Sequence, residues 1–159
     1  MPPSGSTSFT NLSAPATVPT AASARPWMGW VLRAAGVYNL AWGAVAILAP
    51  VWSFRAVGME PPNYPELWQC IGMIVGVYGV GYLAAAADPL RHWPITLVGL
   101  LGKILGPIGF AGALLSGRFP LAFGWNILTN DLVWWLPFAG ILLAAWRAHH
   151  PQPAGGADG

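Results

Sequence analysis

The feature that most constrains this chain is a set of four long apolar stretches that are almost free of charge. Hydrophobic residues make up 55% of the sequence and charged residues only 8%, whereas a soluble domain carries about 25% charged residues. A helix that crosses a bilayer needs about 20 consecutive, mostly apolar residues, and each stretch is long enough. The predicted membrane spans are residues 28–50, 67–87, 93–115 and 121–146.

The predicted fold class is all-α, an integral membrane four-helix bundle with disordered termini. The apolar stretches are too long for strands and do not alternate, and only helices or closed barrels can cross a bilayer. The bundle is expected to occupy residues 27–148. The tails, 1–26 and 149–159, are rich in small and polar residues and are predicted to be disordered. The first tail lacks the basic start and apolar centre of a signal peptide.

The distribution of basic residues predicts the orientation of the bundle. With four spans both termini lie on one side, and cytoplasmic loops carry an excess of Lys and Arg. The terminal side holds Arg25, Arg33, Arg91 and Arg147, and the opposite side holds Arg55 and Arg118. Both termini are therefore predicted to be cytoplasmic and the lipid bilayer to be the main partner. Nucleic acid is not an expected partner, because the basic residues do not cluster.

Small residues recur at helical spacing on three of the predicted helices. Such residues let membrane helices approach closely. Packing within the chain is the favoured interpretation, and a dimer interface or a ligand groove is the alternative. Pro107 and Pro137 are expected to kink the last two spans. The stripes are Asn39, Gly43 and Ala46; then Gln69, Gly72, Gly76 and Gly79; then Gly99, Gly102, Gly106 and Gly109.

Two ionisable residues fall deep within predicted spans. A lysine near the middle of a span costs about 2.5–3.5 kcal/mol on insertion scales. Lys103 is therefore expected to face the bundle interior and to pair with Asp131 of the fourth span. Side chains lean towards the N-terminus of their own helix, so on antiparallel helices these two lean apart. A long lysine side chain can bridge that gap, and Glu66 is the next candidate partner.

Further polar residues predict a larger cluster around this pair. Asn126 and Asn130 share one face of the fourth span, and Gln69, Glu66 and Asn39 are expected to join them in a cluster that opens outwards. The cluster is either a binding site or a hydrogen-bonded buttress that fixes the helix register.

The chemistry-bearing residues outside this cluster predict little. Cys70 is the single cysteine, with no resolving partner, and is expected to be a buried, inert thiol. No metal-ligand spacing, phosphate-binding loop or catalytic motif occurs in the sequence. The sequence therefore assigns no catalytic or metal-binding residue and no cofactor.

The chain contains the segments YNLAWG, PPNYPELWQCIGMIVGVYGVGY, DPLRHWPITLVGLLGKILGPIGF and ILTNDLVWWLPF. As a set they resemble a family of small bacterial membrane proteins that are similar in outline to the DoxX-type four-helix proteins. The resemblance covers about residues 31–146 and excludes both tails. It implies a four-helix fold in a bacterial inner membrane and no established activity.

Some relatives in that family carry the name alkyl hydroperoxide reductase. A single cysteine and the lack of a thioredoxin-like alternation of strands and helices give that name no support in this sequence. Matched to the family motifs, the resemblance points to Glu66, Gln69, Lys103, Asn130 and Asp131 as the residues of interest.

Three functions fit these observations. The favoured one is a non-enzymatic, multi-pass membrane protein whose polar cluster binds a small molecule or a partner helix. The second is a membrane-embedded oxidoreductase or redox accessory subunit that handles a quinone-like ligand, with Lys103 and Asp131 moving protons. The third is a small transporter that acts as a homo-oligomer, because four helices with one charge pair leave little room for a pathway.

Overall fold

The protein is described by a computed structural model that covers residues 24–150. Helices α1, α2, α3 and α4 are followed by a composite fourth span, Leu121–His149. That span comprises a 3-10 turn, helix α5, a π-helix and helix α6. The bounds are α1 Pro26–Leu48, α2 Trp52–Ala56, α3 Pro65–Ala85, α4 Trp93–Leu115, the 3-10 turn Leu121–Phe123, α5 Gly124–Ile127, the π-helix Leu128–Leu132 and α6 Val133–His149.

The predicted all-α fold is confirmed. Residues 24–150 contain no strand, and four helices in this part of the chain are long and apolar enough to cross a membrane. The predicted spans differ from the observed ones by less than one helical turn. Most of both predicted tails lies outside the described residues. The short helix α2, in the first connection at the loop end of the bundle, was not predicted.

Prolines mark where three of the four spans begin. Pro26, Pro65 and Pro94 occupy the first turns of α1, α3 and α4. A proline is favoured there because its missing N–H would have no helical partner anyway and its φ is already helical. This explains why α1 and α3 each start two residues earlier than hydropathy alone predicts.

The closest helix pair is α1 with α3, which meet at glycines. A Cβ atom added to Gly43 would lie 2.6 Å from the carbonyl oxygen of Gly72, and one added to Gly72 would lie 2.9 Å from that of Gly43. In the same way, a Cβ atom added to Gly36 would lie 2.9 Å from the carbonyl oxygen of Gly79, and one added to Gly79 would lie 2.8 Å from that of Gly36. Backbone therefore contacts backbone at two levels of the pair, and no larger residue fits at these levels without displacement.

The two halves of the bundle differ in packing. In the half that carries the chain ends, here called the terminal half, Leu32, Ala35, Tyr82, Phe138 and Ile141 are fully buried. In the opposite half, here called the loop half, aromatic side chains surround a cavity. The loop half is therefore where the fold leaves space for another molecule.

The outer surface of the spans is apolar. Leu136 is 85% exposed, Val77 71% and Leu105 64%. In water such a surface would be costly, because about 25 cal/mol is lost for each Å² of apolar area exposed. The four helices together with this surface describe a multi-pass membrane protein.

Candidate functional site

A π-helix at Leu128–Leu132 interrupts the fourth span at mid-depth. Such single-turn widenings shift the backbone hydrogen-bond pattern and are frequent at functional sites. Side chains donate to the carbonyls here: the Lys103 ammonium donates to the carbonyl of Asn130, and the Trp134 indole N–H donates to that of Thr129 at 3.1 Å. The widened turn is thus stabilised by donors from α4 and from the start of α6.

A second bond between α4 and the fourth span follows from a proline. In a regular helix the carbonyl of Lys103 would accept from the N–H of residue 107, but Pro107 has none. The indole N–H of Trp135 donates to this carbonyl at 2.9 Å. Re-satisfaction of a freed carbonyl by a neighbouring helix is what makes proline tolerable inside a span.

The Asp131 carboxylate lies against the backbone of α4. A Cβ atom added to Gly106 would be 2.9 Å from Oδ2 of Asp131, so only glycine leaves room for the carboxylate. The amide of Asn130 donates to Oδ1 of Asp131 at 3.0 Å. Both Lys103 and Asp131 are 5% exposed.

Lys103 and Asp131 are therefore linked through Asn130, and among the described residues no direct hydrogen bond joins them. The geometry follows the opposed lean of side chains on antiparallel helices. The Asp131 side chain is directed towards the loop end and lies against Gly106, about one helical turn beyond Lys103 on α4. The Lys103 ammonium contacts the Asn130 carbonyl instead. We call Lys103, Asn130, Asp131, Trp134 and Trp135 the polar layer.

The cavity of the loop half lies between α1, α2 and the start of the fourth span and has a volume of about 540 Å³. We call it the aromatic cavity, because six aromatic residues line it. Its volume is within the range of small-molecule pockets, about 300–1,000 Å³. The aromatic lining residues are Tyr38, Trp42, Trp52, Trp68, Phe123 and Trp125, and the polar ones include Ser53, Asn126 and Thr129.

The walls of the aromatic cavity are held by ring contacts. Trp68 meets Trp42 edge-on at 5.5 Å between ring centroids and Phe54 at 5.0 Å. Phe123 packs against both Trp68 and Phe54. Edge-to-face pairs of this kind add about 0.5–1.5 kcal/mol beyond burial of their area. The aromatic wall is a packed structure that joins α1, α2, α3 and the fourth span.

The aromatic cavity and the polar layer adjoin at Thr129. The Tyr38 hydroxyl donates to Oγ1 of Thr129 at 3.0 Å, and Thr129 in turn donates to the carbonyl of Trp125 at 3.0 Å. Tyr38 also packs against Trp134 of the polar layer, at 5.8 Å between centroids. One side of the cavity is thus built on the turn that precedes Asn130.

The other predicted polar residues lie in separate places. The indole N–H of Trp42 donates to Oδ1 of Asn126 at 2.8 Å, in the cavity wall. Gln69 donates to the carbonyl of Ile47 at 2.8 Å, at the C-terminal end of α1. Glu66 is exposed in the first turn of α3. The polar residues therefore do not share one cluster: Lys103, Asn130 and Asp131 make contact, while Asn126 belongs to the cavity.

Cys70 lies in a different environment from the predicted one, and Asn39 is buried without a hydrogen-bond partner for its side-chain oxygen. Cys70 is exposed on α3, so the expectation of a buried thiol was wrong. The residue lies on a face that α1 does not cover, one position after Gln69. Asn39 is 2% exposed, and its Oδ1 has no hydrogen-bond partner among the described residues.

The glycine stripe of α4 divides into two faces. A Cβ atom on Gly99 would collide with the ring of Tyr82, and one on Gly106 with Asp131. The same atom on Gly102 or Gly109 would meet nothing within 4 Å among the described residues. At helical spacing the four glycines spread over a broad face of the helix. Gly99 and Gly106 therefore face the bundle, while Gly102 and Gly109 face outwards. On α3, a Cβ atom added to Gly76 would meet nothing within 4 Å among the described residues. The backbone of Gly76 is nevertheless close to α1, because a Cβ atom added to Gly43 would lie 3.1 Å from the Gly76 nitrogen.

Comparison with protein-family models, with curated proteins and with solved structures gave no match. The family resemblance noted from the sequence therefore stays a prediction. Several site residues were not predicted, above all the indole donors Trp42, Trp134 and Trp135. A usable signal was present for Trp135, because Pro107 predicts a carbonyl at position 103 that needs a donor from another helix.

Proposed function

We propose that this protein is a membrane protein that binds a small apolar molecule in the aromatic cavity. The observation that carries the proposal is a space of about 540 Å³ at the loop end of the membrane-spanning helices, with aromatic walls and few polar groups. Ligand pockets have this composition, with hydrophobic and aromatic walls and a few placed polar groups. Among residues 24–150, no charged side chain lines the cavity.

In this proposal the polar layer positions the cavity and does not contact the ligand. Lys103, Asn130 and Asp131 are absent from the cavity lining, whereas Thr129, one residue before Asn130, is part of it. The bonds of Lys103 and Trp134 to the π-helix set the rotation of the preceding turn. That rotation determines where Asn126 and Thr129 face.

We further propose that both termini face the cytoplasm, as the positive-inside bias favours. Single cysteines introduced in a Cys70→Ala background test this in intact cells with a membrane-impermeant maleimide. Labelling is expected at positions 60 and 118 and not at positions 91 and 149. Labelling of position 149 from outside would reverse the orientation.

Mass spectrometry of small molecules that co-purify with the protein in mild detergent tests the binding function. The blocking variant is Ala41→Trp, because Ala41 lines the cavity. The matched control is Ala44→Trp, an exposed alanine of the same helix that does not line it. We expect a compound enriched with the wild type and with the control and lost with Ala41→Trp. Equal enrichment with all three proteins would contradict a site in this cavity.

A further inference from the structure

The hydrogen-bonding state of Asn126 determines what the aromatic cavity offers to a ligand. An indole N–H only donates, so the Asn126 atom that faces Trp42 must be the oxygen. The amide nitrogen then faces elsewhere, with two N–H donors. Within residues 24–150 this nitrogen donates no hydrogen bond, and Asn126 lines the cavity. Asn126 therefore adds a donor without a protein partner to the lining of the cavity.

A second polar group of the lining lacks a partner. The Oγ atom of Ser53 is buried and makes no hydrogen bond with another described residue. By contrast, the hydroxyl protons of Tyr38 and Thr129 are used within the protein. Because the Ser53 Oγ has almost no accessible surface, it is closed off from the space of the cavity. Asn126 is therefore the lining residue that offers a ligand an unused donor, and a net hydrogen bond to it contributes about 1 kcal/mol.

The surroundings of these two groups exclude a charged ligand. The lining contains neither a cation nor a carboxylate, and an ion without a counter-charge is expensive at membrane depth. Arg55 and Glu66 lie within two positions of lining residues, but both are exposed and neither belongs to the lining. Lys103 and Asp131 are engaged with Asn130 and also stand outside it.

The route of entry follows from the exposed part of the lining. Val45 lines the cavity and is 46% exposed, within the spanning helix α1. Ala41 and Ala49 on the same face are also exposed cavity residues. Lining residues at the loop end, Trp52 and Trp125, are exposed as well. The cavity is therefore open along α1, towards the acyl chains, and at the loop end.

We infer that the ligand of the aromatic cavity is an uncharged, ring-containing molecule that enters from the bilayer and carries a carbonyl or similar acceptor, which Asn126 recognises. This inference rests on the proposed binding function and adds the ligand class and the residue that selects it. Rings stack on Trp42, Trp68 and Phe123, and the acceptor oxygen receives the Asn126 amide N–H.

The test compares three probes that share one flat skeleton: fluorenone with a carbonyl, fluorene without it, and fluorene carboxylate with a negative charge. Binding to the full chain in lipid nanodiscs is measured by equilibrium dialysis, and uptake by empty nanodiscs is subtracted. We expect fluorenone to bind about fivefold more tightly than fluorene, the factor that one net hydrogen bond gives. Fluorene carboxylate is expected to bind least.

Variants assign the preference to its donor. In Asn126→Leu the ratio of fluorenone to fluorene binding should fall to about one, while fluorene binding persists and shows that the cavity is intact. If loss of the Trp42 partner unfolds this variant, Asn126→Leu combined with Trp42→Phe removes both groups. Ser53→Ala, which removes a hydroxyl closed off from the cavity space, should leave the ratio near that of the wild type. Ala44→Trp, outside the cavity, should keep the ratio of the wild type.

The outcomes separate this inference from the function on which it rests. Equal binding of fluorenone and fluorene to the wild type, or an unchanged ratio in Asn126→Leu, would overturn the assignment of Asn126 and leave an apolar binding site. Tightest binding of fluorene carboxylate would overturn the uncharged ligand class. Failure of all three probes to bind above empty nanodiscs would contradict the proposed function itself.

Discussion

The two main helix pairs of this bundle achieve close contact by opposite means. α1 and α3 meet where side chains are missing, with Gly43 against Gly72 and Gly36 against Gly79. α4 and the fourth span meet through large polar side chains that donate to the backbone of the other helix. Lipid tails are as apolar as leucine, so membrane helices associate through shape or through hydrogen bonds. In this protein α1 and α3 associate through shape, and α4 and the fourth span associate through hydrogen bonds.

The difference explains where the protein can hold a ligand. Backbone contact between α1 and α3 leaves no space between those helices. The second pair contains the π-helix, and the segment that leads into its first turn, residues 122–129, lines the cavity together with α1 and α2. The rigid pair and the irregular pair thus supply different walls of one cavity. The glycine pair should therefore be sensitive to added side-chain atoms, and the polar pair to the loss of a donor or a charge.

The largest expected effect lies in the polar pair of helices. Lys103→Met removes the donor to the Asn130 carbonyl and leaves Asp131 buried without a cation. Removal of one partner of a directly bonded buried ion pair costs about 3–5 kcal/mol in soluble proteins. Because Asn130 stands between the two charges here, we expect the lower end of that range, about 3 kcal/mol. We expect a loss of that order in the free energy of unfolding, measured by SDS titration of the detergent-solubilised protein.

A double-mutant cycle with Asp131→Leu sharpens this prediction. The double variant should be less destabilised than the sum of the single variants, because neither charge then remains alone. Since Asn130 links the two residues, Asn130→Ala should reduce the coupling. Strict additivity would mean that Lys103 and Asp131 act independently and that only the bond to the carbonyl matters.

In the glycine pair a single methyl group should have a large effect. Gly43→Ala places Cβ 2.6 Å from the Gly72 carbonyl oxygen, and overpacking of this kind costs about 1–3 kcal/mol. Gly102→Ala is the matched control, because its Cβ meets nothing within 4 Å in the part of the chain that the structure describes. The control should be neutral or stabilising by up to about 1 kcal/mol, since alanine is the better helix former. Equal destabilisation by both would show that the outer face of α4 is covered, as a dimer interface would cover it.

The positions of the spans were predictable because they depend on local composition. Twenty apolar residues in a row specify a span, and Pro26 and Pro65 refine its start. The neighbourhood of Lys103 and Asp131 was also predictable, because each is costly alone in hydrocarbon. The separate location of Asn126 was not, since residues four positions apart on one helix face can still contact different helices.

The π-helix and the cavity could not be predicted. The segment LTNDL carries no local mark that distinguishes a π-turn from an α-turn. The cavity depends on where α2 packs and on how Trp42 and Trp68 are oriented, which are properties of the assembled bundle. The glycine stripes were visible, but their spacing alone does not decide which glycines of α4 face a neighbour.

A smaller effect is expected for the proline-linked bond of the polar pair. Trp135→Phe leaves the buried carbonyl of Lys103 without a donor and should cost about 1–2 kcal/mol. The structure supplies a specific rescue. Pro107→Ala restores a backbone N–H four residues after Lys103, so Trp135→Phe should cost much less in that background. If Trp135→Phe is equally harmful with and without Pro107, the indole acts through packing and not through its hydrogen bond.

The smallest effect belongs to Cys70, which lies near the glycine contact but outside it. Cys70 is exposed on α3, while Gly72 two positions later faces α1. Cys70→Ala should therefore change the free energy of unfolding by no more than about 0.5 kcal/mol, as is usual for exposed positions. The same variant should retain the cavity ligand, because Cys70 does not line the cavity. Cys70 lies in the second turn of α3. Peroxide consumption by the wild type that disappears in Cys70→Ala would show a reactive cysteine. That result would give the peroxide-reductase name the support that the sequence does not provide.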